Sequence, residues 1–425
     1  MYDYINDKRF RGIKPLKNKI WLASPTMHGE EEKYIHDAFL AGWVTTAGEN
    51  IDALEKAVAE YIGVKYAVGL SSGTAALHMA IKLAGERLYG RAKPNEGILN
   101  GHKVFCSNLT FDASCNPISY EDGEAVFIDS EYDTWNISPD AIKRAFFLYP
   151  DVKIIVLAHL YGTPAKMDEI RAIADWHNAL IIEDAAESLG ACLWDDSKDK
   201  WSETGSLGDY NAISFNGNKI ITGSSGGMFL TDSKEDADKV RKWSTQSREN
   251  APWYQHEEIG YNYRMSNIVA GVVRGQLIHL QEHIDRKREI YERYKEGLAS
   301  LPVSMNPYVP GLSQPNFWLS CMMIDEDYMC SQERSDNEAK YEAESGKSCP
   351  TEILEALATF SIEGRPIWKP MHMQPIYRDN KYVTASDEED VSGDIFRRGL
   401  CLPSDIKMTN EEQNMVIEIV KRCFD

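Results

Sequence analysis

The stretch YAVGLSSGTAALHMAIKLAG, residues 66–85, joins a short apolar run to a longer helix-patterned run through a few small residues. The apolar run predicts a buried strand over residues 66–70, and the spacing after it predicts a helix over residues 74–84 with Gly85 as its stop. Repeated units of a strand followed by a helix build a largely parallel sheet. We therefore expect an α/β fold.

The same alternation continues along the chain to about residue 300. Four prolines between residues 302 and 315 then mark a change of composition. We expect a large α/β domain in residues 1–265 and a smaller C-terminal α/β domain in residues 266–425. Within the latter, the polar segment 330–350 is predicted to be a mobile loop. The other predicted strands are residues 103–107, 125–129, 153–159, 179–184 and 227–231, and the other predicted helices are residues 112–120, 138–147, 167–177, 234–247 and 267–300.

The composition excludes several classes of protein. The 425 residues include 46 basic and 66 acidic ones, a formal charge of −20, so repulsion of phosphates opposes sequence-independent binding of nucleic acid. There is no apolar stretch of about 18 residues and no apolar signal region near the N-terminus, so we expect a cytoplasmic protein without membrane association. The eight cysteines form no CxxC pair or ligand cluster, and no metal site is predicted.

Four places that follow predicted strands carry residues suited to chemistry, because ligands of a parallel sheet gather at the carboxyl ends of its strands. The first is SSGT at residues 71–74. Gly73 lets a ligand approach the backbone, and the free N–H groups near Thr74 suit a phosphate. An ordinary capped turn explains the same residues. The stretch is neither a GxGxxG fingerprint nor a Walker loop, so neither NAD nor ATP binding is indicated.

The second place, LIIEDAAESLGA at residues 180–191, ends a strand with two carboxylates. Successive side chains of a strand alternate between its faces, so Asp184 enters a pocket when Glu183 turns away. In a pocket, Asp184 would pair with a cationic ring nitrogen of a ligand. The alternative is that Asp184 only caps a helix.

The third place, SFNGNKIITGSSGGMFLT at residues 214–231, sets Lys219 between two glycine-bearing turns. Most lysines are solvated surface charges. Here the other positions of residues 212–230 are apolar, small or uncharged, and a lysine shielded from water is a usable amine nucleophile. The context therefore favours a chemical role for Lys219.

The fourth place, GYNYRMSN at residues 260–267, has Asn262 and Arg264 before a long predicted helix, and capping of that helix by Ser266 is the alternative interpretation. One ligand satisfies all four places: pyridoxal phosphate, an aldehyde with a phosphate and a pyridine nitrogen. The helix-start amides would hold the phosphate, the carboxylate of the second place would keep the ring nitrogen protonated, and the lysine of the third would form the imine.

At these residues the chain resembles the DegT/DnrJ/EryC1/StrS family of pyridoxal-phosphate-dependent sugar aminotransferases, from about residue 21 to the C-terminus. Within the family it is most similar to the UDP-4-keto-6-deoxy-N-acetylhexosamine aminotransferases of the bacillosamine pathway. The resemblance implies the fold type I of pyridoxal-phosphate-dependent transferases, with a large, mostly parallel sheet domain and a smaller C-terminal α/β domain. It is carried by SFNGNK (214–219), STQSREN (244–250), GYNYR (260–264), RPIWKPMHMQP (365–375) and GLCLPS (399–404).

The resemblance also implies roles in the cofactor site. Lys219 would be the Schiff-base lysine and general base, and Asp184 would pair with the pyridine nitrogen. Phe111 would stack on the ring, and Glu187 would lie against its other face. The implied phosphate contacts are Gly73, Thr74, Ser214 and, reaching the neighbouring subunit's cofactor in a homodimer, Asn262.

The implied reaction moves the amino group of L-glutamate, by way of pyridoxamine phosphate, to the C4 ketone of a UDP-linked sugar. The product would be a 4-amino sugar nucleotide for glycan or lipopolysaccharide synthesis. For each candidate for substrate binding, a purely structural role is the alternative. His159 likewise either lines the cofactor cleft or makes only a structural hydrogen bond. The candidates on the sugar-nucleotide side are Arg264, Arg365, Trp368, Lys369 and His372.

Two rival functions share this fold. A dehydratase that works from pyridoxamine phosphate is disfavoured by Lys219, because family members with that outcome carry histidine at this position. A non-catalytic regulator would bind the cofactor or a sugar nucleotide as a signal, and the charge of −20 argues against a DNA-binding form of it. Residues 86–102 and 330–350 are longer than the resemblance predicts, which leaves sugar selectivity and the stereochemistry of amination open.

Overall fold

A computed structural model describes residues 2–195 and 199–425 as sheets flanked by helices. The strands are β1 (Tyr66–Leu70), β2 (Lys103–Ser107), β3 (Glu124–Ile128), β4 (Ile154–Ala158), β5 (Leu180–Asp184), β6 (Cys192–Asp195), β7 (Lys200–Glu203), β8 (Tyr210–Ser214), β9 (Gly227–Thr231), β10 (Val303–Met305), β11 (Ser313–Gln314), β12 (Ser320–Ile324), β13 (Gln332–Arg334), β14 (Ala339–Tyr341), β15 (Arg365–Pro366), β16 (Lys381–Val383) and β17 (Gly399–Leu402). The helices are α1 (Glu30–Leu40), α2 (Glu49–Ile62), α3 (Gly73–Tyr89), α4 (Asn116–Tyr120), α5 (Pro139–Leu148), α6 (Met167–Trp176), α7 (Lys234–Ser244), α8 (Asn267–Leu277), α9 (Leu280–Gly297), α10 (Pro350–Thr359), α11 (Val391–Arg398) and α12 (Asn410–Arg422).

The main sheet has eight strands in the order β1-β9-β8-β5-β4-β2-β3-β16. Neighbouring strands from β8 to β16 run parallel, and β9 runs antiparallel to both of its neighbours. Buried apolar side chains pack on both faces of this sheet, as expected where helices cover a parallel sheet on both sides. The prediction of an α/β fold with a large, mostly parallel sheet is confirmed.

The predicted strands match the observed ones closely because continuous apolar runs mark strands that are buried on both faces. The predicted ranges 66–70, 103–107 and 227–231 are the bounds of β1, β2 and β9. The predicted ranges for β3, β4 and β5 differ from the observed ones by one residue at one or both ends. At α5, the hydroxyl of Ser138 accepts a hydrogen bond from the Ala141 amide at 3.2 Å. The predicted start of this helix is therefore also correct.

Gly85 does not end its helix as predicted, since α3 continues to Tyr89. A Cβ atom on Gly85 would lie 2.6 Å from Cγ2 of Ile98, so the glycine permits close packing of a neighbouring segment. Gly90, with φ of 85°, follows the last residue of the helix instead. A glycine needed for packing and a glycine that stops a helix look alike in the sequence.

Three other predicted helices differ from the observed ones. Residues 112–120 divide into a short 3-10 turn and α4, which starts at Asn116. Residues 267–300 form two helices, because α8 ends at Leu277 and α9 begins at Leu280. The helix predicted over residues 234–247 ends at Ser244.

The C-terminal part is built around a four-stranded sheet in the order β10-β12-β17-β15. Its core includes Leu357 and Phe360 and also takes in Tyr4 and Phe10 from the N-terminal arm. Conversely, β16 belongs to the C-terminal part of the sequence but pairs with β3 in the main sheet. The chain thus crosses between the two parts in both directions, and the boundary at residues 265 and 266 stays a prediction.

The segment 330–350 contains a two-stranded hairpin, β13 with β14, where a loop without strands was predicted. The guanidinium group of Arg334 donates a hydrogen bond to the Phe396 carbonyl at 2.8 Å. Asp336, between the two strands, pairs with Lys369 at 2.9 Å. A hydrogen bond and an ion pair to distant residues thus order a segment whose polar composition predicts mobility. In the described part of the chain, no helix combines the length and the apolar character needed to cross a membrane.

Glu121 is the buried charge that joins α3 to the segment before β2. Its carboxylate accepts hydrogen bonds from His78 Nε2 at 2.9 Å, Lys82 Nζ at 3.0 Å and the Ile98 amide at 3.0 Å. Burial alone would raise its pKa, but the hydrogen bonds of His78 and Ile98 and the charge of Lys82 lower the pKa from 4.5 to about 2. The ionised form therefore stabilises the folded protein.

We expect Glu121→Gln to lower the free energy of unfolding at pH 7 by about 3 kcal/mol, because the variant loses this charge-assisted network. The depressed pKa sets the sign of the pH effect: the contribution is present above pH 4.5 and is lost as the pH falls towards 2. Urea unfolding of both proteins at several pH values measures it. A difference in the free energy of unfolding between the two proteins that stays constant below pH 4.5 would contradict the lowered pKa of Glu121.

Candidate active site

A cavity of about 260 Å³ lies at the edge of the main sheet where β1, β4, β5 and β8 end. Parallel strands bring residues from distant parts of the chain together at this edge, as the sequence predicted. Its wall includes these predicted site residues: Gly73, Thr74, Phe111, Asp184, Glu187, Ser214, Lys219 and Trp368.

The start of α3 forms one side of the cavity. The hydroxyl of Ser72 caps the helix by accepting a hydrogen bond from the Ala75 amide at 3.0 Å. A Cβ atom on Gly73 would lie 2.8 Å from Cβ of Ser214, so only glycine lets β8 come this close to the helix. The first amides of a helix have no acceptor within it. With the neighbouring hydroxyl of Ser214, they make a cradle that fits a phosphate group.

Asp184, the last residue of β5, is buried at the floor of the cavity. The hydroxyl of Ser114 donates a hydrogen bond to its Oδ2 at 2.6 Å, and the Ala186 amide donates one to its Oδ1 at 3.0 Å. Burial raises the pKa of Asp184, although these two hydrogen bonds and the charge of Lys219 act in the opposite direction. A cationic ring nitrogen facing Asp184 would favour its ionised form.

Glu183 points to the other face of β5, as the alternation predicted. Its carboxylate accepts hydrogen bonds from the amides of Gly205 at 2.6 Å and Leu207 at 2.8 Å, and it contacts His159 Nε2 at 2.9 Å. Nδ1 of His159 accepts a hydrogen bond from the Ala165 amide, so Nε2 carries the proton in the neutral ring. His159 therefore holds Glu183 in the fold and does not reach into the cavity.

Lys219 reaches the cavity from the turn after β8, and only 12% of its side chain is exposed. Its Nζ lies 3.9 Å from Oε1 of Glu187 and 4.4 Å from the centre of the Trp318 ring. The indole nitrogen of Trp318 donates a hydrogen bond to the Asn218 carbonyl at 2.8 Å, which fixes the turn. An amine is thus held in a partly desolvated place beside a carboxylate and an aromatic face.

Tyr161 positions two residues of the cavity wall, Glu187 and Trp368. Its amide donates to Oε2 of Glu187 at 2.8 Å, and its hydroxyl oxygen accepts from the Trp368 amide at 2.8 Å. The indole nitrogen of Trp368 also donates to Oε1 of Glu187 at 3.2 Å. Tyr161 has a φ of 52°, a conformation that non-glycine residues rarely adopt and that is often found at functional sites. Burial raises the pKa of Glu187.

The remaining residues that the sequence predicts for the site do not line the cavity. Arg264 donates hydrogen bonds to Glu55 and to the Gly69 carbonyl, which joins its loop to β1. The amide of His372 donates to Asn108 at 3.0 Å, and its ring stacks on Tyr382.

Arg365 is exposed on β15 and pairs with Glu363, and Lys369 pairs with Asp336. Asn262 is exposed on the loop before α8. The structure does not bring these two cations or Asn262 to the cavity wall of this chain, and their binding roles stay predictions.

Ser114, Tyr161 and Trp318 contribute to the site and were missed in the sequence. Each acts through a partner far along the chain, as in the hydrogen bond from Ser114 to Asp184, 70 positions away. A serine in a turn or a tryptophan before a strand has no local pattern that indicates such a partner. Only the glycine after Tyr161 marked a turn there.

Comparison with known proteins agrees with this site. Residues 25–421 match the DegT/DnrJ/EryC1/StrS aminotransferase family. The chain is 40% identical over 417 residues to EpsN of Bacillus subtilis (strain 168), described as a pyridoxal phosphate-dependent aminotransferase, over 96% of this chain and 97% of EpsN. It is 31% identical over 400 residues to the GDP-perosamine synthase of Caulobacter vibrioides, over 94% of this chain and 96% of that protein.

A solved structure of DesI in the presence of its TDP-sugar product has the same fold, with a TM-score of 0.80 at 24% identity over 98% of this chain and 95% of that one. Fold and site together define a pyridoxal-phosphate-dependent aminotransferase. The chain belongs to the DegT/DnrJ/EryC1/StrS family of sugar aminotransferases.

Asp184→Asn and Glu183→Gln form a matched pair for testing the two faces of β5. We expect Glu183→Gln to lower the free energy of unfolding by about 3 kcal/mol, because it breaks a buried charge network. Asp184→Asn should leave the stability of the ligand-free protein unchanged or raise it, and should slow the reaction with an amino donor about 100-fold.

The pH dependence separates the two carboxyl groups further. The raised pKa of Asp184 means that the ligand-free wild type loses stability relative to Asp184→Asn as the pH rises from 3.8 through the folded pKa. Urea unfolding and single-turnover absorbance measure both effects. Loss of stability in Asp184→Asn, without loss of rate, would contradict the assignment.

Proposed function

We propose that this chain binds pyridoxal phosphate on Lys219 and transfers the amino group of L-glutamate to the C4 ketone of a nucleotide-linked 4-keto-6-deoxy sugar. The sugar nucleotide that we propose is a UDP-4-keto-6-deoxy-N-acetylhexosamine. One observation carries the proposal: the shielded amine of Lys219 shares a cavity with the buried carboxylate of Asp184 and the cradle formed by Gly73 and Ser214.

The dimensions and polarity of the cavity suit the cofactor. Bound pyridoxal phosphate supplies an aldehyde carbon that exchanges amines and a ring that withdraws electrons. We propose that the amides of Gly73 and Thr74 and the hydroxyl of Ser214 hold the phosphate. Asp184 would stabilise the protonated ring nitrogen, since a buried carboxylate with a raised pKa gains most from a facing cation. We propose that Phe111 stacks on the ring and that Glu187 lies against its other face.

Lys219 would have two roles. In the glutamate half its Nζ would hold the cofactor until the amine of glutamate displaces it, and in both halves the free Nζ would move a proton to or from the substrate carbon. It would take the proton from Cα of glutamate in the first half and return a proton to C4 of the sugar in the second. The small exposed fraction of its side chain limits the competing access of water.

The substrate assignment rests on residues at the rim of the cavity. Trp368 lies in the wall, and we propose that the next residue, Lys369, exchanges its ion pair with Asp336 for the diphosphate of the substrate. Relatives named for GDP-perosamine and for a TDP-sugar product use other nucleotides. The choice of UDP and of an N-acetylated sugar is supported by the sequence motifs at residues 365–375 and 399–404.

We also propose that the active unit is a homodimer. Four large apolar side chains, at Phe39, Leu40, Trp43 and Val44, are exposed at and just after the end of α1. A contiguous apolar surface of this kind favours burial against another chain. The side-chain amide of Asn267 donates to the Trp43 carbonyl at 2.9 Å, so this surface adjoins the start of α8, which follows the loop that carries Asn262. We propose a cytoplasmic location, since all eight cysteines are free buried thiols.

Borohydride reduction followed by peptide mapping tests the central step. We expect the reduced cofactor on the peptide that contains Lys219, and we expect the wild type to release one equivalent of 2-oxoglutarate from glutamate per chain. Lys219→Arg retains the charge but not the exchangeable amine, so it should release less than about 1% as much in the same time, in line with the loss of an essential base. An adduct on another lysine would overturn the proposal.

The protein that has completed the glutamate half-reaction is then used to identify the sugar acceptor. After the glutamate half-reaction, matched 4-keto-6-deoxy sugars linked to UDP, GDP and TDP compete for the amino group, and NMR identifies the products. We expect the UDP-linked N-acetyl sugar to be aminated at C4 with the highest kcat/KM. Preference for another nucleotide would remove the UDP assignment and leave the aminotransferase intact, whereas loss of water from the sugar would indicate a dehydratase.

Leu40→Glu tests the dimer. Leu40 is 74% exposed, and a charge there should weaken self-association at least tenfold if the surface is an interface. Phe147→Glu is the matched control, because Phe147 is 85% exposed on α5, away from this surface. Light scattering over a range of concentrations measures both. An unchanged dimer in Leu40→Glu, or a monomeric wild type, would contradict the proposal.

A further inference from the structure

Three histidines meet where the N-terminal segment crosses the junction of α8 and α9, in a place that the proposed reaction does not use. The rings of His28 and His279 stack with their centres 3.7 Å apart. Nε2 of His28 lies 2.8 Å from Nε2 of His283. Around His279, Glu282 lies 3.1 Å from Nδ1 and Glu30 lies 3.2 Å from Nε2. Imidazole and carboxylate groups are thus gathered at one point.

A chain of hydrogen bonds sets the direction in which His28 offers a lone pair. Nδ1 of His283 donates to the Ile220 carbonyl at 2.7 Å, so Nε2 of a neutral His283 is an acceptor. Nε2 of His28 must then carry the proton that it shares with His283. Nδ1 of His28 keeps its lone pair, and its ring is backed by a hydrogen bond on the far nitrogen, as metal-binding histidines are.

We propose that His28, His279 and Glu282 bind one divalent transition-metal ion, of which Zn²⁺ is the most suitable. Each residue offers one ligand atom, and the three atoms lie within 4.8 Å of one another. Two imidazoles with one carboxylate are a ligand set that Zn²⁺ accepts, and a water molecule would complete a tetrahedral site. Ligand atoms around a tetrahedral Zn²⁺ are about 3.3 Å apart, and imidazole binds a metal in the plane of its ring. The rings of His28 and His279, whose planes are 7° from parallel, would therefore turn towards the ion, and the exposed Glu282 would close on it.

The local sequence places two of these ligands side by side. HLQEH, residues 279–283, turns at the start of α9, so that His279 and Glu282 are neighbours three positions apart. His279 has a carboxylate at each nitrogen, and the two negative charges favour a cation between them. A proton on His279 is the competing cation, and titration with Zn²⁺ distinguishes the two.

The site would also connect the N-terminal segment to the active-site turn. His283 is buried, and its hydrogen bond goes to Ile220, the residue after Lys219. A metal on His28 would therefore fix the contacts from His28 through His283 to Ile220, which is the neighbour of Lys219 in the chain. Its expected effect is on the stability of this region, which is measurable independently of transamination.

Titration of the holoenzyme with Zn²⁺ and Co²⁺ tests this site. The protein is prepared without a histidine tag and treated with a chelator, calorimetry measures Zn²⁺ binding, and visible absorption reports the coordination of Co²⁺. We expect one ion per chain and a rise in the thermal unfolding temperature on addition of Zn²⁺. His279→Ala and Glu282→Gln should each weaken binding at least about tenfold.

His36→Ala, which removes an exposed histidine from α1, is the matched control and should bind as the wild type does. Glu282 is 69% exposed, so Glu282→Gln keeps the test valid even where His279→Ala disturbs folding. Absence of stoichiometric Zn²⁺ binding would show that the cluster holds only a proton. Equal binding by the wild type and both variants would place the ion elsewhere, and either result overturns the proposal. Neither result affects the release of 2-oxoglutarate, which tests the proposed function separately.

Discussion

The buried carboxylate of Glu183 is the constraint on which the active site depends. Backbone amides and His159 surround it, so β5 cannot rotate or shift by one residue without leaving a buried charge unpaired. Because side chains alternate along a strand, this network forces Asp184 to face the cavity. A group that takes no part in the chemistry thus determines where the cofactor's ring nitrogen would be bound.

Around this point the site is assembled from walls that come from distant parts of the chain. The close approach of α3 to β8 requires Gly73, and the wall that contains Glu187 and Trp368 depends on the unusual backbone of Tyr161. Tyr161 orients Glu187 and Trp368 together, so the carboxylate near Lys219 and the aromatic rim form one unit. Preorganised groups of this kind let an enzyme bind a cofactor without rearranging.

Two polar residues that the sequence suggests as substrate ligands make contacts within the fold, and their binding roles stay predictions. Arg264 is engaged by Glu55, and His372 is engaged by Asn108 and Tyr382. Conversely, the polar segment 330–350 is ordered, and its Asp336 pairs with Lys369 next to the cavity wall. A charged side chain has a similar local sequence whether it binds a ligand or another residue, so sequence alone leaves both roles open.

The sequence by itself indicated six of the eight strands of the main sheet, but not β8 or β16. It also placed Asp184 and Glu183 on opposite faces of β5 and set Lys219 among uncharged neighbours in the chain. These features follow from local patterns: continuous apolar runs, the two-residue period of a strand, and composition around one position. Only the tertiary structure decided that Gly85 packs against Ile98, that Trp318 covers Lys219, and that the helix predicted over residues 267–300 breaks at His279. Those outcomes depend on partners far away in the chain, and contacts of that kind leave no periodic trace in the sequence.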